Sequence, residues 1–406
     1  MTVIRRWFAI HSNGRIFRKP LLSASQAAAS IKSGATLLVG GFGLTGIPEK
    51  MLKALAKRNV TDLKIVSNDT GTEDFGIGPL IREGKVSKVT ASYIGENRQC
   101  VKDYLEGKLE IDLVPQNTLS WNGHDYLQEH ARTGDVALIK AWKGDEFGNL
   151  VFRETARNFN PVMAKAARTT LVEVEELVPT GAIDPDEIHL PGIYVDGMVL
   201  GGKYEKQIMH LTVSRDGDAE KETPKGTMPP REKIARRAAK EFRTGMYVAP
   251  KEKTLTIGTL SKARRGRPRL GECWKGDGDC LRRGHFDMSM LGAFEVSEFG
   301  DLANWIIPGK IVKGMGGAMD LANSGSTIIV TMTHLSKDGR PKIVSKCSLP
   351  LTAPKCVKRI ITELAVFDVH PQKGLTLVEK VSSETIDSLR SKTGCPFTVA
   401  PKLGTF

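Results

Sequence analysis

The amino-acid sequence predicts an α/β fold built from two similar domains, each with a mainly parallel sheet. Short apolar runs typical of buried strands alternate with amphipathic segments typical of helices, an order that favours parallel sheets. Residues 214–230 contain almost no apolar side chain and are rich in Pro, Gly and charged residues, which is typical of a linker. After this linker, residues 231–248 repeat the order of residues 27–39, a helix followed by an apolar run. The chain therefore begins a second copy of the same unit.

The first 23 residues differ in composition from the rest of the chain. They contain Arg5, Arg6, Arg15, Arg18 and Lys19, with apolar side chains between them and no acidic residue. This composition is typical of a mitochondrial transit peptide and predicts a location in the mitochondrial matrix, while a simple basic N-terminus is the alternative. The remaining segments are then an N-terminal domain, a linker and a C-terminal domain: residues 24–213, 214–230 and 231–406.

The net charge of +13 is concentrated in two segments. Residues 1–48 carry six basic residues and no acid, and residues 251–279 carry eight basic and four acidic residues. The rest of the chain is only weakly basic, which argues against a nucleic-acid-binding protein. Residues 265–269 (Arg-Gly-Arg-Pro-Arg) are nevertheless similar to an AT-hook, which inserts Arg side chains into a narrow A·T minor groove, so a DNA-tethered protein is kept as an alternative.

No apolar run approaches the ~20 residues that a membrane span needs.

The six cysteines are scattered without the spacing of metal ligands, and no metal site is predicted. In a chain of 406 residues, long enough for two domains, they are expected to be free thiols in a reducing compartment. They are Cys100, Cys273, Cys280, Cys347, Cys356 and Cys395.

A glycine-rich turn follows the first apolar run of the N-terminal domain. Gly41, Gly43 and Gly46 match G-x-G-x-x-G, Pro48 opens a helix, and Asp69 follows a second apolar run. A strand, a glycine turn and a helix aim backbone N–H groups at an anion, so the pattern permits a nicotinamide dinucleotide site. A tight turn without any ligand is the alternative.

The apolar pattern also predicts individual elements of both domains. Residues 250–279 show no periodicity and are predicted to be an exposed basic insert. The predicted strands are residues 37–39, 63–66, 86–93, 136–142, 149–152, 171–178, 286–291, 328–332 and 375–378. The predicted helices are residues 27–32, 49–58, 231–242 and 355–364, with a second glycine turn in residues 314–317 leading into a helix.

A series of motifs lies along the whole chain in a fixed order. The motifs are residues 37–48, Gly95-Glu96-Asn97, residues 156–160, residues 203–206, residues 300–305, Pro308-Gly309-Lys310, residues 313–321 and residues 393–397. Together they resemble the family 1 coenzyme A transferases. Because a long ordered series is far more specific than G-x-G-x-x-G alone, the resemblance displaces the dinucleotide hypothesis. It implies two α/β domains, each like one subunit of the two-subunit relatives, fused through the linker.

The resemblance implies transfer of coenzyme A from succinyl-CoA to a 3-oxo acid such as acetoacetate, in ketone body catabolism. Coenzyme A is then a substrate, no cofactor is tightly bound, and a homodimer is expected. In the family, a glutamate carboxylate attacks the thioester while backbone N–H groups stabilise the oxyanion. The resemblance assigns Gly317 to the oxyanion hole. The residues that it assigns to the coenzyme A channel or its vicinity are Gly292, Ala293, Asn304, Lys310, Gly314 and Gly316.

The chain departs from the family pattern in two places. After residue 119 it lacks a glycine-rich and aromatic stretch of the first domain. Residues 250–279 replace a glycine turn, a strand and the Ser-Glu-Asn-Gly motif that carries the nucleophilic glutamate. The sheet of the second domain is therefore expected to lack inner strands and to be incomplete. Glu252 and Glu272 have no glycine turn beside them, and Glu96 occupies a motif that does not supply the nucleophile in the family.

We therefore predict that the chain as written does not form the covalent glutamyl intermediate. Either an intact gene has been read incompletely, or the chain is a degenerate, non-catalytic paralogue. The abrupt return of the resemblance on both sides of each gap favours the first explanation.

Overall fold

The computed structural model of the chain describes residues 18–114, 131–202, 204, 228–243, 246, 248–250 and 286–406. Most of the predicted transit peptide, most of the predicted linker and nearly all of the basic insert therefore lie outside the described residues. The sequence features that lie there include residues 265–269, Glu252, Glu272, Cys273 and Cys280.

The first domain is built on one sheet flanked by helices. Its strands are β1 (Leu21–Leu22), β2 (Thr36–Val39), β3 (Leu63–Ser67), β4 (Val86–Ala91), β5 (Glu110–Leu113), β6 (Gly134–Asp145), β7 (Leu150–Val151), β8 (Ala167–Val178) and β9 (Gly197–Leu200). Its helices are α1 (Ala24–Ala29), α2 (Glu49–Ala56), α3 (Gly78–Arg82), α4 (Arg98–Leu105) and α5 (Asn160–Ala166). In the described residues the strand order is β1-β9-β8-β6-β2-β3-β4-β5, all parallel, with β7 antiparallel to β6.

Both faces of this sheet are covered, which explains why its strands are continuous apolar runs. Successive residues of a strand point to opposite faces. Leu37 of β2 therefore joins a cluster with Leu52 and Leu55 of α2, while Leu38 joins a cluster on the other face with Ala164 of α5.

The second domain contains helices α6 (Pro230–Ala238), α7 (Ala318–Asn323) and α8 (Ile386–Lys392). Its strands are β10 (Val248–Pro250), β11 (Met288–Leu291), β12 (Glu295–Ser297), β13 (Leu302–Ala303), β14 (Ile306–Ile307), β15 (Ile311–Val312), β16 (Thr327–Thr331), β17 (Ile343–Val344), β18 (Val357–Ile361), β19 (Ala365–His370), β20 (Gly374–Lys380) and β21 (Phe397–Thr405). The main sheet runs β10-β11-β16-β18-β19-β20-β21, parallel from β10 to β18 and antiparallel at β18–β19 and β19–β20.

The two domains repeat one order of elements. In the first, α1 leads into β2, and β2 pairs with β6, which pairs with β8. In the second, α6 leads towards β10, and β10 pairs with β11, which pairs with β16. Helices α5 and α7 stand at matching places, just before β8 and β16. The predicted α/β architecture of two similar domains is confirmed.

The second sheet is less complete than the first, as predicted. Strand β2 has β6 on one side and β3 on the other, and β4 and β5 extend the sheet further. Strand β10 pairs with β11, and within the described part of the chain no strand pairs with its other edge. Residues 40–133 separate β2 from β6, whereas only residues 251–287 separate β10 from β11.

The N-terminal boundary of the first domain needs correction. Leu21 and Leu22 fall in the segment predicted as a transit peptide, yet they form β1 and pair with β9. The backbone N–H of Lys19 also donates to Glu146 O at 2.8 Å. The folded domain therefore extends N-terminally of residue 24.

The helix predicted for residues 355–364 is wrong, because this segment contains strand β18. Val357, Ile360 and Ile361 are buried, and their i, i+3, i+4 spacing matches a helix. A β-bulge produces the same spacing here: Val357 pairs with Ile328, but Arg359 pairs with Ile329, so Lys358 is the extra residue. The strands predicted near residues 63–66, 136–142, 171–178 and 328–332 are confirmed.

The first glycine turn, residues 40–46, is occupied by an acidic side chain of the protein itself. The Asp69 carboxylate accepts hydrogen bonds from Gly43 N–H at 2.6 Å and from Gly71 N–H at 2.8 Å. Burial raises the pKa of Asp69 to about 6, so the group is mostly ionised at neutral pH. The turn amide that would face an anionic ligand therefore already binds a carboxylate.

The other side of this turn is closed by Asn160, the first residue of α5. Its amide Nδ2 donates to Gly46 O at 3.0 Å and Ala156 O at 2.9 Å, and its Oδ1 accepts from Lys140 N–H at 2.9 Å. A Cβ atom on Gly40 would lie 2.0 Å from Asn160 Oδ1, so only glycine fits. The turn is a packed connection between β2 and α2, and a dinucleotide has no place there.

Among the described residues, no helix is both long enough and apolar enough to cross a membrane. The four described cysteines, Cys100, Cys347, Cys356 and Cys395, are free thiols, as predicted.

A chain that lacks residues 1–22 should be less stable than a chain that lacks residues 1–17. The longer deletion eliminates β1, the hydrogen bond from Met198 N–H to Pro20 O at 3.0 Å and the packing of Leu22 on the first core. We expect a loss of about 2 kcal/mol in the free energy of unfolding. Urea titration of the two truncated chains measures this difference, and equal midpoints would contradict the role given to β1.

Asn160→Ala should destabilise the chain by about 3 kcal/mol, because it leaves buried backbone groups at Gly46, Ala156 and Lys140 without partners. Asn323→Ala is the matched control, since Asn323 is exposed and makes a single bond to Met319 O at 2.9 Å. This control should shift the free energy of unfolding by less than about 0.5 kcal/mol. Similar losses for the two variants would show that Asn160 does not hold the turn closed.

Candidate functional site

The second glycine turn, residues 314–317, connects β15 to α7 in the second domain. Gly314 has φ +88° and Gly316 has φ +51°, a left-handed conformation that favours glycine. Gly317 has φ −79° and caps the N-terminus of α7. Apart from Met315, this turn therefore presents backbone without side chains immediately before a helix.

The amides of the turn have different partners. Gly316 N–H donates to Ser92 O of the first domain at 2.9 Å. Gly317 N–H donates to no acceptor among the described residues. The first N–H groups of a helix lack partners within it and carry the positive end of its dipole. The role of Gly317 in an oxyanion hole stays a prediction.

Two further predicted residues, Gly292 and Asn304, are bonded to each other. Asn304 is buried, and its Nδ2 donates to Gly292 O at 3.0 Å, while its Oδ1 accepts from Thr352 Oγ1 at 2.7 Å. Asn304 N–H also donates to Thr352 Oγ1 at 3.2 Å. The amide of Asn304 therefore fixes the chain at the end of β11, where Gly292 and Ala293 follow directly.

Lys310 lies apart from these residues, at the exposed tip of the β14–β15 hairpin. Its N–H donates to Ile307 O at 3.0 Å, which closes the hairpin turn. Its side chain is exposed. The structure thus groups the predicted residues as one bonded pair, one turn and one hairpin tip.

The first domain contributes groups that sequence reasoning missed. Ile94 N–H donates to Lys313 O at 2.7 Å, directly before the second glycine turn. Tyr93 lies beside the turn, with its ring 3.8 Å from where a Cβ of Gly316 would stand, and Tyr93 Oη donates to Glu96 Oε1 at 3.1 Å. The motif Gly95-Glu96-Asn97 marked this region in the sequence, but nothing in the sequence paired it with residues 313–316.

Charge near the turn comes from Lys313, whose Nζ lies 5.5 Å from the centroid of the Phe294 ring. A cation over an aromatic face is favourable, and Phe294 follows the predicted channel residue Ala293. In the part of the chain that the structure describes, no group of His, Cys, Asp and Glu side chains is arranged to hold a metal ion.

Comparisons with known proteins agree with this architecture. A model of the coenzyme A transferase family matches residues 21–123, 119–201 and 279–389. The acyl-CoA transferase YdiF of Escherichia coli O157:H7, in its apoenzyme structure, superposes with a TM-score of 0.77 at 20% identity, covering 97% of this chain and 96% of its own. At 20% identity, this similarity shows a shared fold and nothing more specific.

Curated relatives are more similar in sequence. The human protein named succinyl-CoA:3-ketoacid coenzyme A transferase 2, mitochondrial, is 41% identical over 462 residues, covering 92% of this chain and 88% of its own. One of the subunits of the Helicobacter pylori (strain ATCC 700392 / 26695) succinyl-CoA:3-ketoacid coenzyme A transferase is 44% identical and covers 48% of this chain and 97% of its own. The family model covers more than half of the chain and the human relative nearly all of it. This chain therefore belongs to the coenzyme A transferase family.

Proposed function

We propose that the chain has the scaffold of an enzyme that transfers coenzyme A from succinyl-CoA to a 3-oxo acid such as acetoacetate, in the mitochondrial matrix. The human and bacterial relatives carry names with this substrate pair, and the human relative is named mitochondrial. The two repeated domains and the match of one bacterial subunit to 48% of the chain support a fusion of two subunits. Coenzyme A is a substrate in this proposal, and assembly into a homodimer stays a prediction.

In the family, the chemistry proceeds through a glutamate of the second domain. Its carboxylate attacks the thioester carbonyl and expels the CoA thiolate, which leaves an acyl-glutamyl anhydride. The thiolate then attacks the glutamyl carbonyl, releasing succinate and forming a glutamyl-CoA thioester. The acceptor carboxylate attacks this thioester and expels the thiolate, which then attacks the acceptor acyl group and regenerates the glutamate.

Each of these attacks passes through a tetrahedral oxyanion. In the proposal, Gly317 N–H donates to that oxyanion, and removal of one such donor typically costs ~3 kcal/mol of transition-state stabilisation. Gly292, Ala293, Gly314 and Gly316 border the thioester, because chain segments without side chains allow close approach.

We further propose that this chain does not perform the covalent step. The single observation that carries this proposal is the sequence that follows β10: residues 250–279 contain no Ser-Glu-Asn-Gly motif. The segment between β10 and β11 is also the place where the family carries its nucleophilic glutamate. The family match supports the same conclusion, because its first two pieces, residues 21–123 and 119–201, join at the first gap, and no piece covers residues 202–278. The human relative aligns over 462 positions, more than the 406 residues of this chain.

Incubation with succinyl-CoA should leave the intact mass of the full chain unchanged, because the motif that carries the nucleophilic glutamate in the family is absent from this sequence. The human relative, treated in parallel, is the positive control and should gain a coenzyme A adduct. Addition of acetoacetate should likewise yield no acetoacetyl-CoA above the rate without protein. An adduct mapped by peptide mass spectrometry to any glutamate of this chain would overturn the proposal.

The origin of the gaps is decided by the transcript. If the gene is intact, transcripts read across the codons of residues 119 and 250 should contain additional coding segments at both places. Transcripts that match the present sequence throughout would instead identify a degenerate paralogue.

A further inference from the structure

The segment Trp305–Gly317, here called the strap, belongs to the second domain by sequence but packs on the first. Its hairpin pairs Ile306 with Val312 and Ile307 with Ile311. Val312 is buried within the core cluster of the first domain, and Ile306 packs against the same cluster. The strap therefore contributes apolar side chains to the core of the other domain.

Two backbone hydrogen bonds fasten the strap at its C-terminal end. Ile94 N–H donates to Lys313 O at 2.7 Å, and Gly316 N–H donates to Ser92 O at 2.9 Å. Ser92 is itself fixed within the first domain, since its N–H and Oγ donate to Asn68 O at 3.0 and 2.8 Å. Both Ser92 and Ile94 are buried. The strap is thus attached to a well-anchored part of the first sheet.

The two backbones approach so closely that side chains are excluded. A Cβ on Gly314 would lie 2.4 Å from Ser92 O and 2.9 Å from Tyr93 Cα. A Cβ on Gly95 would lie 2.9 Å from Lys313 Cγ. Distances below 3.0 Å between such atoms require the backbone to move, so glycine at position 314 is a condition for docking.

We propose that Ser92 and Ile94 of the first domain are positioning residues for the second glycine turn. Because the Gly316 amide is held by Ser92 O, the orientation of the next peptide, which carries Gly317 N–H, follows from a contact made by the other domain. The first domain then controls whether the predicted oxyanion donor points into the site. The catalytic meaning of this inference rests on the proposed function, but the docking itself does not.

Gly314→Ala tests the inference, with Gly325→Ala as the matched control. Both glycines have left-handed φ values, +88° and +81°, so alanine introduces the same kind of backbone strain in each. Nothing lies within 4 Å of a Cβ on Gly325. We expect the amides of Ile94 and Gly316 to exchange with solvent at least tenfold faster in Gly314→Ala and at the wild-type rate in Gly325→Ala, while those of β19 and β20 are unchanged in both.

A second pair of variants weakens the packing of the strap on the first domain without straining the backbone. Val312→Ser places a hydroxyl in the first-domain core, while Ile311→Ser changes the neighbouring side chain, which is 37% exposed. Val312→Ser should accelerate exchange in the strap, and Ile311→Ser should not. The inference would be overturned if the strap amides exchanged at equal rates in the two variants of each pair. It would also be overturned if these amides exchanged in the wild-type chain as fast as those of an exposed loop.

Affinity for coenzyme A separates the inference from the proposed function. Titration of the full chain with coenzyme A should give a dissociation constant at least tenfold higher for Gly314→Ala than for Gly325→Ala, because only the first variant displaces the turn. A wild-type chain that does not bind coenzyme A would contradict the proposed function and leave the exchange result as the test of docking. Equal affinities of the two variants would contradict the positioning role.

Discussion

Two backbone hydrogen bonds between the domains hold the second glycine turn in place. Ser92 O and Ile94 N–H hold residues 313–316 against the end of β4. A contact between two backbones restricts the type of residue at only a few positions. Gly314 cannot carry a side chain, because a Cβ atom there would collide with the first domain. The side chain at Ser92 matters little, because the hydrogen bond is made by the backbone carbonyl. The glycines of the motif are therefore explained by the neighbouring domain as much as by a ligand.

The two glycine turns stand at different places in the internal repeat: the first follows β2, and the second precedes α7, the counterpart of α5. In the first domain, Asn160 at the start of α5 fills the space beside the turn after β2, and Asp69 binds an amide of that turn. In the second domain, the matching helix α7 is preceded by Gly316 and Gly317, which have no side chain to fill such a space. The start of α5 therefore carries a side chain that packs on the glycine turn of its own domain, whereas the residues before α7 pack on the first domain.

Much of the fold could be predicted from the sequence, because most strands of the first sheet are buried on both faces and appear as apolar runs such as Leu37-Leu38-Val39. The prediction was wrong at β18, where a bulge gave Val357, Ile360 and Ile361 the spacing of a helix. Strand β1 was not predicted, because two leucines beside a basic segment are too few to show the hydrophobic pattern of a strand. The incomplete second sheet was predicted correctly from the departure of residues 250–279 from the family pattern.

The candidate site was predictable only in part. The turn at Gly314–Gly317 and the neighbourhood of Gly292 follow from motifs, and the roles of these residues in catalysis stay predictions. The internal bonds of Asn304 and the docking of Lys313 on Ile94 could not be foreseen, because hydrogen bonds to the backbone of distant residues leave no mark in the sequence. Contacts between domains are the part of a site that a single sequence reveals least.

The most direct test of the account is whether the two domains stay together without their covalent link. A protease site engineered into residues 214–227 allows the full chain to be cut after folding, and size-exclusion chromatography at micromolar concentration then compares cut and uncut protein. The account predicts that both halves elute together at the volume of the uncut chain, because the strap remains docked on the first domain. Elution of two separate halves would contradict it.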